Sequence, residues 1–194
     1  MANELLGKKV AILVADGFEQ IEMTDPRLAL EDAGAEPILI SPARGKVKGV
    51  HHDKPGDQFD VDVPLKKANP AEYDALVLPG GVANPDELRT NLDAVAFVKA
   101  FADAGKPIAA ICHGPWTLIE AGITKGRKMT SWPSLKTDLI NSGAKWVDEE
   151  VVVDRGLVTS RNPHDLPAFN AKMIEEIGEG KHGHGLSRRT HAHS

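Results

Sequence analysis

A chain of 194 residues is long enough to bury one hydrophobic core without metals or disulfides, so we expect a single domain. The formal net charge of −5 at pH 7 argues against electrostatic binding of nucleic acid. No apolar run approaches the roughly 18 residues that a membrane span needs. Cys112 is the only cysteine and no apolar signal region opens the sequence, so we expect a protein of the reducing cytoplasm.

The first part of the chain alternates strands with a helix. Residues 9–15 are a short apolar run of the kind that parallel sheets bury on both faces. Asp25 followed by Pro26 has the pattern of an N-cap with proline at the first helical position, which predicts a helix from there to Gly34. With a further strand at residues 36–41, this β-α-β order implies a right-handed crossover and a mostly parallel sheet flanked by helices.

An irregular segment and a second strand-helix pair occupy the middle of the chain. Residues 41–67 are rich in glycine, proline and charge, and the alternating piece at 59–63 predicts a strand of an inserted hairpin. A buried strand at residues 74–79 runs into Gly80-Gly81, where absent side chains leave backbone N–H groups open to a ligand. The following helix, which ends at Gly105, is predicted by an apolar stripe of Leu92, Val95, Val98 and Phe101.

The second half of the chain continues this alternation and then changes in composition. The predicted elements are a strand at 107–111, helices at 116–121 and 133–142, a hairpin of 150–154 with 157–160, and a final amphipathic helix that ends at Ile177. From Gly178 onward almost nothing can be buried, so we predict one domain over residues 1–177 and a flexible His-rich tail over 178–194.

Cys112 stands where a predicted strand turns sharply into a helix. Ala110 and Gly114 on either side are small, as in the elbows that expose a nucleophile above an α/β sheet. A thiol at a helix N-terminus beside the imidazole of His113 is expected to have a lowered pKa and to react as the thiolate. The alternative is that Cys112 is a small buried apolar residue and His113 an exposed structural histidine.

Several separated motifs occur in one order along the chain. They are Asp-Gly-Phe-Glu at 16–19, Leu-Pro-Gly-Gly at 78–81, Ala-Ile-Cys-His-Gly-Pro at 110–115, Thr-Ser-Trp at 130–132, Val-Val-Val-Asp at 151–154 and Thr-Ser-Arg at 159–161. Together they resemble the ThiJ/PfpI superfamily, most closely its PfpI-type intracellular protease and deglycase branch, over roughly residues 8–177. The resemblance implies an α/β fold, a flavodoxin-like three-layer sandwich whose mostly parallel central sheet is flanked by helices, with a nucleophile elbow at Cys112.

The resemblance also implies the catalytic residues. It makes Cys112 the nucleophile, His113 its partner, and Glu19 the carboxyl that lies against the thiol and is partly protonated by burial. It further implies an acidic residue from a neighbouring subunit, and therefore a homodimer or higher homo-oligomer; Asp86 is the best match, with Glu87 beside it. The simpler interpretation of all three acids is that they stabilise the first turn of a helix through its dipole.

Glycines and a tryptophan complete the predicted site. The backbone N–H groups of Gly81 and His113 are candidates for an oxyanion hole, in a loop that Gly80 keeps open. Gly114 belongs to the elbow that shapes the same pocket. Trp132 is a candidate pocket wall, although core packing explains a tryptophan equally well.

No metal and no cofactor is predicted. The histidines of the tail, His182, His184, His191 and His193, have no carboxylate or thiolate framework around them. His164 follows a late strand and is a reserve candidate for the catalytic imidazole, but a place in the loop before a helix also accounts for it.

These residues favour an enzyme that uses the Cys112 thiolate on a small dicarbonyl such as methylglyoxal, or on its adduct with a protein. Two other functions use the same thiol. One is an intracellular cysteine peptidase, which requires a complete triad and room for an extended peptide. The other is a stress-linked redox sensor or chaperone whose Cys112 is oxidised to a sulfinic acid.

Overall fold

The computed structural model describes residues 3–181 of the chain. The strands are β1 (Lys9–Leu13), β2 (Phe18–Glu19), β3 (Glu36–Ser41), β4 (Lys46–His51), β5 (Lys54–Asp60), β6 (Val63–Pro64), β7 (Ala75–Leu78), β8 (Ile108–Ile111), β9 (Lys128–Met129), β10 (Lys145–Trp146), β11 (Val152–Asp154) and β12 (Leu157–Ser160). The helices are α1 (Gln20–Asp32), α2 (Ala83–Leu88), α3 (Leu92–Asp103), α4 (Pro115–Glu120), α5 (Lys136–Asn141) and α6 (Leu166–Glu179). Short 3-10 turns lie at Leu65–Lys67, Pro70–Glu72, Pro133–Leu135 and Pro163–Asp165.

Within these residues a central sheet of 7 strands has the order β6-β3-β1-β7-β8-β12-β11. Neighbouring strands are parallel except β11, which runs antiparallel to β12. The order β3-β1-β7-β8-β12 is the 2-1-3-4-5 arrangement of flavodoxin-like folds. Helices α1 and α6 cover one face of the sheet and α2, α3, α4 and α5 cover the other, so the predicted three-layer sandwich is confirmed.

Strand β1 shows why its sequence is apolar throughout. Ala11 and Leu13 point into the core beneath α3 and α4, whereas Val10 and Ile12 point into the core beneath α1 and α6. Successive side chains of a strand face opposite sides of the sheet, and here both sides are covered. All four residues have no exposed surface.

Helix α1 begins at Gln20, well before the predicted start at Asp25. Pro26 therefore lies inside the helix, where a residue without an N–H is unfavourable. The helix forms nonetheless because it buries Met23 and Pro26 against the sheet, and this packing outweighs the local signal. The corrected start places Glu22 in the first turn of the helix.

The inserted hairpin is present, but the predicted strand at 59–63 is wrong. Strands β4 and β5 form the hairpin and pair antiparallel around the loop at His52-Asp53. Residue 60 ends β5, and β6 begins at residue 63. The alternating pattern arises because Phe59 and Val61 both pack against the core beneath α1.

The structure differs from the prediction at the ends of two further helices. Leu92, which the predicted stripe included, is 85% exposed in the first turn of α3, whereas Val98 and Phe101 are buried as expected. Helix α6 continues to Glu179, so the first residues of the predicted tail are helical. The remainder of that tail from residue 182 lies outside the described residues.

The sheet order reverses between β1 and β7, because the chain leaves β1 for β3 on one side and later returns to β7 on the other. Ligands of open α/β sheets bind at such a switch point, beyond the carboxyl ends of the strands. The loops after β1, β7 and β8 all reach this edge, and they carry residues 16–19, Gly80-Gly81 and Cys112 respectively.

The side chain of Asn84 joins two of these loops. It is fully buried, and its Oδ1 accepts the N–H of Ala15 at 2.7 Å. Its Nδ2 donates to the carbonyl oxygens of Pro79 at 3.0 Å and Gly80 at 3.1 Å. The loop after β7 is thereby fixed to the end of β1.

We expect Asn84→Ala to lower the free energy of unfolding by roughly 2–4 kcal/mol, because it leaves one N–H and two carbonyl groups buried without these partners. Urea denaturation of the two proteins measures the difference. Asn91→Ala is the matched control, since Asn91 only caps α3 near the surface, and it should cost about 1 kcal/mol. Equal losses in the two variants would contradict the role given to Asn84.

Candidate active site

Cys112 occupies the predicted elbow between β8 and α4. Its φ is 62°, a left-handed value that is unusual for a residue other than glycine. The backbone is fixed on both sides: the Cys112 N–H donates to Ser160 O at 3.0 Å, and the Trp132 N–H donates to Cys112 O at 2.9 Å. Gly114 is required here because a Cβ would lie 2.5 Å from the carbonyl oxygen of Leu78. The strained elbow is confirmed.

The sulfur of Cys112 is surrounded by hydrogen-bonding groups. The backbone N–H groups of Gly81 and His113 both donate to it, and the His113 Nδ1 lies 3.2 Å away. Gly81 has a φ of 80°, and a Cβ there would lie 2.5 Å from the carbonyl oxygen of Gly17. The two N–H groups predicted to bind an oxyanion are thus directed at the sulfur itself.

The carboxyl beside the thiol belongs to Glu22. It is fully buried and within hydrogen-bonding reach of Cys112, and its Oε1 accepts the N–H of Gly80 at 3.0 Å. Burial, and then the negative charge of Glu19, raise the pKa of Glu22 to about 8. Among the described residues, Oε2 has no nitrogen or oxygen partner. At neutral pH this carboxyl therefore holds a proton.

Glu19, the carboxyl expected against the thiol, faces a different neighbour. Both of its carboxylate oxygens accept the N–H of His52, at 3.2 and 3.0 Å. Glu19 ends β2, whereas Glu22 lies one turn into α1 and projects toward the elbow. Glu22 is not recognisable from the sequence when the helix is predicted to start at Asp25; a helix that begins directly after Glu19 reveals it.

The thiol is not activated in the expected way. Burial and the charge of Glu22 raise the pKa of Cys112, and together they outweigh the hydrogen bonds from Gly81 and His113 that lower it. The contribution of Glu22 disappears when its carboxyl is protonated, because the group then carries no charge. Burial lowers the pKa of His113, which favours a neutral imidazole that can accept the thiol proton.

His113 lies between two tryptophans. Its ring stacks on Trp132 with centroids 5.7 Å apart and meets Trp116 edge-on at 5.2 Å. Its Nε2 lies 3.4 Å from the Ser134 Oγ, a contact that sequence reasoning missed. Trp132 is 37% exposed, so it forms the outer wall of the site as predicted and is not a core residue.

The other predicted acids lie on the surface of α2. Asp86 and Glu87 are both exposed, and among the contacts of residues 3–181 neither touches Cys112 or His113. Partial burial and the charge of Asp16 raise the pKa of Glu87. A contribution from a neighbouring subunit therefore stays a prediction.

His164 lies exposed in the 3-10 turn before α6, where its N–H donates to Asn162 Oδ1 at 2.9 Å. Within the described part of the chain, no group of three or more His, Cys, Asp or Glu residues could hold a metal ion. The tail histidines lie outside that part. No helix from residue 3 to residue 181 is both long and apolar enough to cross a membrane.

The sequence model of the DJ-1/PfpI family matches residues 8–176. The chain belongs to the DJ-1/PfpI family. Its curated relatives include a deglycase of Pyrococcus horikoshii, which is 46% identical over 86% of this chain and 98% of that protein. The protein/nucleic acid deglycase 2 of Escherichia coli is 45% identical over 89% of this chain and 99% of its own length.

Among solved structures, Drosophila melanogaster DJ-1beta superposes with a TM-score of 0.81 at 29% identity, over 89% of this chain and 91% of that chain. The predicted family and flavodoxin-like fold are therefore confirmed. The names of the curated relatives support an enzyme of the hydrolase or deglycase type for this DJ-1/PfpI protein.

The raised pKa of Glu22 predicts a stability that depends on pH. The folded carboxyl titrates at about 8 and the unfolded one near 4.5, so its contribution is complete below pH 4.5 and is lost as the pH rises toward 8. Between pH 6 and pH 8 the protein should lose roughly 2–3 kcal/mol of unfolding free energy from this group. Glu22→Gln should remove that loss, as measured by urea denaturation at both pH values.

Glu31→Gln on the exposed side of the same helix is the control, and its pH dependence should match that of the unmodified protein. Parallel pH dependence of the unmodified protein and Glu22→Gln would show that Glu22 holds no proton in the folded state.

Proposed function

We propose that this protein is a Cys112-dependent enzyme that acts on reactive dicarbonyls, or on the adducts that they form with other molecules. The observation that carries the proposal is the Cys112 sulfur held beside a protonated Glu22 and 3.2 Å from the His113 Nδ1. One group can accept the thiol proton and the other can donate one, as addition of a thiol to a carbonyl requires. Deglycase relatives support this type of reaction.

The first step forms a hemithioacetal. With methylglyoxal as the substrate, the Cys112 sulfur bonds to the aldehyde carbon, and the carbonyl electron pair moves to oxygen. The thiol proton passes to His113 Nδ1, and the new alkoxide takes a proton from Glu22. The wall formed by Trp132 limits access of water during this step.

The second step moves a hydrogen within the bound substrate. A proton leaves the hemithioacetal carbon and returns to the neighbouring carbon, and the proton of the hemithioacetal hydroxyl moves to the ketone oxygen, so the aldehyde carbon reaches the thioester level while the ketone becomes an alcohol. Because oxidation and reduction balance within one molecule, no redox cofactor is consumed. Water then breaks the sulfur–carbon bond, lactate leaves, and Cys112 regains its proton.

We also propose that a second subunit contributes to the site. Asp86 is exposed in α2, shortly after the Gly80-Gly81 loop that contacts the sulfur. Its carboxylate is therefore accessible to a neighbouring subunit. We propose a homodimer or higher homo-oligomer in which this carboxylate reaches the His113 ring of the neighbour. A cytoplasmic stress response is the setting that suits an oxidisable thiol with such substrates.

The purified protein should convert methylglyoxal to lactate, and Cys112→Ala should abolish the conversion. Glu22→Gln should lower kcat/KM by about 100-fold or more, because an acid–base group is lost. The activity of the unmodified protein should fall as the pH rises above about 8, since Glu22 then loses its proton. Steady-state assays of lactate formation across pH measure all three effects.

Glu31→Gln, on the exposed side of α1, should retain full activity. Unchanged turnover in Cys112→Ala would refute the proposal. Cleavage of unstructured peptides that thiol alkylation blocks would identify a peptidase instead. Addition of two oxygens to Cys112 after mild peroxide, without any turnover, would identify a redox sensor.

The role of Asp86 is tested by mixing subunits. Cys112→Ala and Asp86→Ala should each be inactive, but reassembly of the two together should restore part of the activity if the carboxylate crosses the interface. Restoration reflects mixed oligomers that contain one site with both native residues. No recovery in mixtures shown by mass spectrometry to contain both chains would place Asp86 outside the neighbour's site.

A further inference from the structure

The hairpin of β4 and β5 is fixed to the active-site region in two places. Strand β2 pairs with β4, so Glu19 lies next to Val50. Gln20 also holds Asp57 of β5: its Nε2 donates to Asp57 Oδ2 at 2.8 Å, and its Oε1 accepts the Asp57 N–H at 2.8 Å. The tip of the hairpin therefore has a defined position beside the loop that follows β1.

His52 at this tip has a backbone conformation that glycine usually provides. The loop between His51 and Lys54 has two residues, and His52 has a φ of 58°. In tight hairpin loops a positive φ at the first residue favours glycine, and a side chain there costs free energy. A specific contact of the histidine ring would account for its presence.

That contact is with Glu19. The His52 N–H donates to both carboxylate oxygens, and the ring Nδ1 lies 3.3 Å from Oε1. The Glu19 side chain is 10% exposed, while that of His52 is 79% exposed. Glycine would keep the backbone hydrogen bonds and lose the ring, so the ring is what the histidine adds.

Glu19 lies close enough to act on the reacting groups. Its N–H donates to Gly80 O at 3.2 Å, and its negative charge raises the pKa of Glu22 and, to a smaller extent, that of Cys112. The titratable groups that face it are thus Glu22 from α1, Cys112 from the elbow and His52 from the hairpin.

We propose that His52 is a positioning residue of the Cys112 site: its ring, 3.3 Å from Glu19 Oε1, holds the Glu19 carboxylate and, when protonated, offsets part of its charge, which eases ionisation of the thiol. The proposal rests on the proposed function only in taking Cys112 as the reacting group. It assigns the inserted hairpin a part in the chemistry of the site.

The test measures the rate at which iodoacetamide alkylates Cys112 as a function of pH. Cys112 is the only cysteine, so the reaction reports on it alone. His52→Gly should react about 3-fold more slowly at pH 7, which corresponds to a shift of the profile by roughly half a pH unit. Glycine tolerates the positive φ, so this variant should fold at least as stably. His51→Ala, at the adjacent exposed position, is the control and should react as the unmodified protein does.

The same substitution in a Glu19→Gln background shows whether His52 acts through Glu19. There, His52→Gly should have no further effect on the alkylation profile. Equal rates for the unmodified protein and His52→Gly, or the same slowing in both backgrounds, would overturn the proposal. If no variant turns over dicarbonyls but the coupling between positions 19 and 52 persists, the proposed function fails and this inference stands.

Discussion

The site depends on the burial of two acids, a carboxyl and a thiol, next to each other. The Glu22 carboxyl and the Cys112 thiol lie side by side away from water, and two negative charges at that distance would be strongly unfavourable. Because Glu22 titrates at about 8, it keeps its proton at neutral pH and adds no negative charge beside the one that forms on the sulfur when the thiol proton passes to His113. The N–H groups of Gly81 and His113 then stabilise that charge.

The fold brings these groups together by allowing the backbone to approach very closely. A Cβ on Gly80 would lie 2.5 Å from Glu22 Oε1 and 2.6 Å from the Cys112 Cβ. Any other residue at position 80 would therefore displace the Glu22 carboxyl or the elbow itself. The sheet order supplies the rest, since it places the loop after β7 between the end of β1 and the end of β8. Asn84 fixes that loop to β1 with hydrogen bonds that are fully buried.

Most of the fold could be predicted from the sequence because apolar runs and turn residues act locally. The strands around residues 9–15, 74–79 and 107–111 are buried on both faces, so their composition alone identifies them. The elbow was recognisable from the small residues around Cys112. The start of α1 was not, because Pro26 signals a helix start while packing of Met23 extends the helix upstream.

The electrostatic properties of Cys112 were harder to predict, because they depend on its burial and on a neighbour from another element of the fold. A sequence shows that Cys112 precedes a helix and a histidine, but not that the thiol is 6% exposed beside a carboxyl from α1. The expected lowering of its pKa was therefore wrong in direction. His113 contacts the preceding residue as expected, because the φ of 62° at Cys112 lets the Nδ1 approach its sulfur.

Several departures from ordinary local preferences lie near this sulfur, although Arg155 in the turn between β11 and β12 also has a positive φ. Cys112 and His52 both have left-handed backbones, and Glu22 is a buried carboxyl whose Oε2 has no nitrogen or oxygen partner among the described residues. Pro26 has no N–H to donate to the Glu22 carbonyl oxygen four residues earlier, which leaves the first turn of α1 without one of its helical hydrogen bonds. Away from the site, the buried face of α6 follows its apolar pattern except at Glu176. Strain of this kind persists only where the surrounding structure determines the conformation, so the regular layers of the sandwich hold the groups around Cys112 in positions that their own sequence would not choose.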